Sequence, residues 1–123
     1  MANGASDRDR VFKTKWFSRE ARKALIPDQE LSLAIRQVML GHAIDLGGGV
    51  YKKRLGKNRF RSIILAKGGR NWVYEYLFAK KDLDNISQSD LAKFRKLARS
   101  YEGLTDREIV ELIANQDWVE IFE

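Results

Sequence analysis

The chain has 123 residues, 44% of them hydrophobic, and carries 23 Lys and Arg against 17 Asp and Glu, a net charge of +6. That length suits one domain with enough apolar content for a core, and the positive excess speaks to partners more than to fold. The absence of cysteine excludes a disulfide framework and thiolate chemistry. No apolar run approaches the roughly 18 residues of a membrane span. The opening MANGASDRDR lacks the apolar centre of a signal peptide, so a cytoplasmic protein with no membrane partner is expected.

In chain order, residues 1–10 read as a disordered polar tail and residues 11–123 as one domain with a C-terminal helical extension. VFKTKWF at 11–17 alternates like a strand. Ser18 is positioned to cap a short helix reaching Leu25, which Pro27 ends. Asp28 opens a second helix, in which Leu31, Ala34, Ile35, Val38 and Met39 recur at helical spacing, and Gly41 closes it. DLGGG at 45–49 reads as a loop or irregular strand entry. Three strands follow, at 50–55, 59–67 and 70–79, joined by short Gly-containing turns and therefore antiparallel. Ser87 or a neighbour starts a third helix carrying the stripe Leu91, Phe94, Leu97, Ala98 and Tyr101. Thr105, with Glu108 three residues on, caps a fourth. Trp118, Val119, Ile121 and Phe122 form an apolar tail that must dock. The expected fold is α+β, in the order β-α-α-β-β-β-α-α, with about four antiparallel strands and the helices packed on one face.

Charge is distributed unevenly. Between Tyr51 and Lys81 there are ten basic residues and a single acid, Glu75, a segment charge of +9. Within it, VYKKRLGKNRFRS at 50–62 crowds six cations onto an expected hairpin, although like charges on neighbouring strands destabilise a sheet. A polyanion offsets that cost, and a localised basic region is the electrostatic footprint of nucleic-acid binding.

If the polyanion is RNA and the chain were to cleave it by attack of the RNA's own 2′-hydroxyl, the reaction would need a base for that hydroxyl, positive groups for the phosphorane oxygens and an acid for the leaving 5′-oxygen. His42 is the only histidine, so a His pair is excluded, and His42 itself reads as a residue at a helix C-terminus. No carboxylate pair lies in the basic segment, which argues against a two-metal site there, and no cofactor is expected. Lys, Arg and Tyr remain. A lysine packed among cations has its pKa lowered and becomes a better proton carrier. Arg61 is the candidate for binding the phosphate, because its planar fork suits phosphate oxygens. Lys80, with Lys81 beside it, is the candidate acid or base. Lys52, Lys53, Arg54, Lys57 and Arg59 are candidates for positioning RNA, and Tyr51, Tyr76 or Phe60 for stacking on a base. The aromatic run Trp72, Tyr74, Tyr76 and Phe78 also has an ordinary reading as strand core.

The stretch YEYLFAKKDLDNIS at 74–87 resembles the RelE/ParE toxin superfamily and, within it, the HigB-like branch. Phe78, Ala79, Lys80, Lys81, Asp82, Asn85 and Ile86 carry the likeness, with GKNRFRSIIL at 56–65 and GGGVYKKRL at 47–55 in support. Leu77 and Lys81 depart from the Gly and Asn more frequent there. The resemblance implies a toxin–antitoxin toxin that cleaves mRNA on the ribosome without a metal, leaving a cyclic phosphate and a 5′-hydroxyl. It also implies a silencing antitoxin, often with a helix-turn-helix domain. A ParE-like toxin acting on DNA gyrase and a non-enzymatic RNA-binding regulator are the competing readings.

Overall fold

In the computed structural model, residues 9–68, 70–82 and 85–122 are described. The elements are β1 (Arg10–Thr14), α1 (Lys15–Lys23), α2 (Asp28–Met39), β2 (Ile44–Gly47), β3 (Val50–Leu55), β4 (Phe60–Lys67), β5 (Asn71–Ala79), α3 (Gln88–Glu102), α4 (Asp106–Ala114) and β6 (Trp118–Ile121). All but two residues of the expected tail, Asp9 and Arg10, fall outside the described range, and Arg10 is already in β1.

The α+β class holds, with a larger sheet than expected. Six strands run in the order β2-β3-β4-β5-β1-β6. The two added strands come from DLGGG, where β2 forms a hairpin with β3, and from the apolar tail, where β6 pairs antiparallel with β1. The apolar tail after α4 thus docks as an edge strand of the sheet. The sheet is mixed, not wholly antiparallel, because β1 runs parallel to β5, from Arg10 opposite Asn71 to Lys13 opposite Tyr74.

The expectation of helices on one face is also corrected. Phe17 and Ala21 of α1 and Leu31, Ala34, Ile35 and Val38 of α2 pack on Val11, Leu55, Ile64, Trp72, Tyr74 and Leu77. Leu91 and Ala98 of α3 pack on Val50, Ile63, Leu65 and Phe78, and Ile109 of α4 packs on Phe12, Val73 and Trp118. Consecutive strand residues point to opposite faces, so Ile63, Ile64 and Leu65 serve the two cores in turn. A sheet apolar on both faces needs cover on both. Among the described residues, no helix is long and apolar enough to cross a membrane.

Local chemistry sets where each helix begins. The side chain of Thr14 accepts from the Phe17 amide at 3.0 Å, so α1 starts at Lys15, ahead of the expected Ser18 cap, and Trp16 and Phe17 are helical. Ser87 caps α3 through the Asp90 amide. Thr105 and Glu108 form a reciprocal capping box at α4. A β-bulge lies at Glu75: Ile63 pairs with Tyr76, but Ile64 pairs with Tyr74. The extra residue resets the alternation of β5, so Trp72, Tyr74 and Leu77 share one core while Tyr76 and Phe78 turn to the other.

Candidate functional site

The cations of β3 and β4 are sorted by strand register. Directly opposite residues on paired strands point the same way. Val50 faces Leu65 in the α3-side core, and Tyr51 faces Ile64 in the α1/α2-side core. By the same register, Lys52 (opposite Ile63) and Arg54 (opposite Arg61) lie on the α3 side with Arg61, while Lys53, opposite Ser62, lies on the α2 side. β2 pairs with β3 only as far as Lys52, so the outer edge of β3 is open from Lys53 onward. At that open edge the two faces meet in a hollow of about 440 Å³, lined by Lys52, Lys53, Arg54 and Arg61 with His42, Ala43 and Ile44.

The wall of this hollow carries four cations, a histidine and no carboxylate. None of the four cations is in an ion pair among the described residues. Arg61 is 8% exposed, and its Nη1 donates to the carbonyls of Asn58 and Phe60, both at 3.1 Å. Among the described residues no buried side-chain nitrogen or oxygen lacks a partner, so the rest of the fork reaches solvent. A guanidinium clamped by backbone on one side and open on the other is pre-set for an anion. Lys53 Nζ donates to the carbonyl of His42 at 3.0 Å. Partial burial first, and the neighbouring Arg54 cation second, hold Lys53 below the ordinary lysine range.

The β3–β4 turn joins the two strands that carry these cations. Gly56, Lys57 and Asn58 all have positive φ, and the carboxylate of Glu30 in α2 accepts from the Gly56 amide at 2.6 Å. Lys57 and Arg59 are exposed on this turn, with Arg59 Nε bonded to the Gly56 carbonyl. Beyond it lies a second hollow of about 600 Å³, lined by Asn58, Arg59, Phe60, Ala79, Lys80 and Lys81. Lys80 is therefore a neighbour of Arg59, to whose carbonyl its amide donates at 2.9 Å, while Arg61 opens into the first hollow. Of the candidate cations, Lys52, Lys53, Arg54 and Arg61 line the first hollow, Arg59, Lys80 and Lys81 the second, and Lys57 neither.

Of the three candidate stacking residues, Phe60 lines the second hollow while Tyr51 and Tyr76 are engaged in packing. Tyr51 lies on the α1/α2 side with its ring 5.6 Å from that of Trp72. Tyr76 stacks on Trp16 at 5.1 Å and 11° and also meets Phe78 and Phe94. Two residues given no role at the hollow from sequence belong to it or touch it. His42 lines it. Asn85, noted only as part of the family-like stretch, accepts from Lys52 Nζ at 3.2 Å. The register of β2 on β3, which brings His42 alongside, has no signature in the residues themselves. Among the described residues, no group of three or more His, Cys, Asp or Glu is placed to hold a metal ion.

A family model described as the RelE toxin of the RelE/RelB toxin–antitoxin system matches residues 9–121, nearly the whole chain and every strand and helix above. The chain belongs to the RelE toxin family. It is accordingly a toxin of a toxin–antitoxin system, with a cognate antitoxin as partner. Neither a curated protein nor a solved structure matches this RelE-family sequence.

Proposed function

We propose that this RelE-family toxin is a metal-independent, ribosome-dependent mRNA endonuclease that stops translation. The observation that carries the reading is the hollow at the open edge of β3, where four cations, none in an ion pair among the described residues, converge with no carboxylate in the lining. Such a site favours a phosphodiester and, above all, the extra negative charge of a phosphorane.

In the proposed reaction the RNA 2′-oxygen attacks the adjacent phosphorus as its proton passes to a base. The P–O5′ bond breaks as the 5′-oxygen takes a proton from an acid. The products are a 2′,3′-cyclic phosphate and a 5′-hydroxyl. Arg61 and Arg54 hold the non-bridging oxygens, and Lys52 adds a point charge. Lys53, whose charged form is disfavoured by burial and by Arg54, serves as the proton acceptor. Lys80 and Lys81 supply the acid and further phosphate contacts from across the turn, and Lys57 and Arg59 steer the RNA over it. The stretch from Phe78 to Ile86 supports placement in the HigB-like branch, whose antitoxins often carry a helix-turn-helix domain.

Mapping mRNA 5′ ends after expression of the wild type, Arg61→Ala and Lys80→Ala tests this. New in-frame ends that vanish with Arg61→Ala support it. Growth arrest with DNA-damage signalling and no new ends points instead to a gyrase-directed toxin.

A further inference from the structure

Among the described residues between β5 and α3, Asn85 makes a polar contact with the sheet. Asn85 lies 33 residues beyond Lys52 in the chain, yet its Oδ1 accepts from Lys52 Nζ at 3.2 Å and from the Ile86 amide at 3.1 Å. An ammonium only donates, so the amide oxygen must face it and the orientation of the Asn85 side chain is fixed. Its amide nitrogen then points away and has no partner among the described residues. Ile86 packs at the edge of the α3-side core, which also contains Phe78, the residue directly opposite Arg61.

The choice of an amide matters. A carboxylate here would hold the ammonium more strongly but cancel its charge, whereas an amide oxygen holds it and leaves the charge whole. Lys52 is one of four like charges in the first hollow and, untethered, would swing away from Arg54 and Arg61.

We propose that Asn85 is a positioning residue of the RNA site: it acts through Lys52, holding its ammonium at the hollow with the charge intact. This rests on the nuclease reading above, in that the ligand is single-stranded RNA.

Two measurements test it. The first needs no RNA. Acetylation of Lys52 in the free protein, followed by mass spectrometry, is expected to run several-fold faster in Asn85→Ala than in the wild type. An unchanged rate overturns the proposal. The second is binding of single-stranded RNA oligonucleotides across a salt series, with the wild type, Lys52→Ala, Asn85→Ala, Asn85→Asp and the Lys52→Ala/Asn85→Ala pair. Asn85→Ala is expected to weaken binding about tenfold and to lower the salt slope by about one contact. Asn85→Asp, which keeps an acceptor for Lys52 and for the Ile86 amide, is expected to keep wild-type thermal stability yet bind no better than Asn85→Ala. The double variant is expected to lose little beyond Lys52→Ala. Wild-type affinity in Asn85→Asp would show that Asn85 only staples the connection, and fully additive losses would show that it does not act through Lys52; either overturns the proposal. RNA binding by the wild type that is indifferent to Asn85 removes this inference alone. A wild type that binds no free RNA removes this role, while the nuclease reading stands or falls separately on the mRNA 5′ ends mapped on ribosomes.

Discussion

Arg54 and Arg61 stand directly opposite one another across β3 and β4, two guanidinium groups on the same face of the sheet with no carboxylate between them. Directly opposed like charges destabilise a strand pair, by an amount on the order of 0.2–1 kcal/mol. Arg54→Thr is therefore expected to raise the unfolding free energy by about 0.5 kcal/mol while weakening RNA binding. Urea denaturation beside an RNA titration checks both. A variant that loses stability contradicts the reading of this pair as repulsive in the free protein.

Arg61→Lys keeps the charge and loses the fork. Its Nη1 bonds to Asn58 and Phe60 show that the planar group is anchored by its geometry, which an ammonium cannot copy. Cleavage is expected to fall on the order of a hundredfold, as for loss of an oxyanion donor. The salt dependence of RNA binding is expected to change little, because the number of cations is unchanged. Single-turnover rates and a salt titration separate the two effects.

Glu75, the bulged residue of β5, tests the other end of the sheet. Burial raises its carboxyl pKa, and the hydrogen bond donated by Tyr101 Oη at 2.6 Å only partly opposes that. A raised folded-state pKa means that the group's relative stabilisation is complete below the unfolded carboxylate pKa. It is lost as pH rises through the folded value. Glu75→Gln removes the charge and keeps an acceptor for Tyr101. Its melting temperature is expected to exceed that of the wild type at neutral pH, with the gap closing as pH falls through the carboxylate range. Thermal melts at several pH values decide it.

Gly48, in the β2–β3 turn, has φ of +65°, and an added Cβ would lie 2.9 Å from Cγ of Arg95. Arg95 of α3 crosses this turn to donate to the carbonyls of Leu46 and Gly47. Gly48→Ala is expected to cost about 1–2 kcal/mol from left-handed backbone alone, with a further loss from displacing Arg95. In an Arg95→Ala background the same change is expected to cost less, read by denaturation of the four proteins.

Much of the scaffold was legible in the residues. Thr105 with Glu108 announced a capping box, Ser87 a cap, and the Gly-containing turns a three-strand meander, all of which form. What stayed hidden depends on contacts distant in sequence. The bulge at Glu75 is invisible to a period-two reading of β5, which places Tyr76 with Trp72 and Tyr74 when it lies with Phe78 instead. β2 has just four residues, and none of the first two is buried, so it is a strand because β3 offers it an edge and Arg95 pins its turn. The basic hairpin was plain from composition. Its division was not: Arg61 lines one hollow with the cations of β3, and Lys80 lines another with Asn58 and Arg59 of the turn.

The central claim is that the hollow formed by Lys52, Lys53, Arg54 and Arg61 grips and cleaves an RNA phosphodiester. The most direct measurement uses purified protein, ribosomes programmed with a defined mRNA and no added divalent ion beyond what the ribosomes need, with the cut ends identified chemically. The account predicts a 2′,3′-cyclic phosphate and a 5′-hydroxyl for the wild type, and no cut with Arg61→Ala at equal folded concentration. A wild-type rate retained by folded Arg61→Ala, or ends carrying a 5′-phosphate, would contradict it.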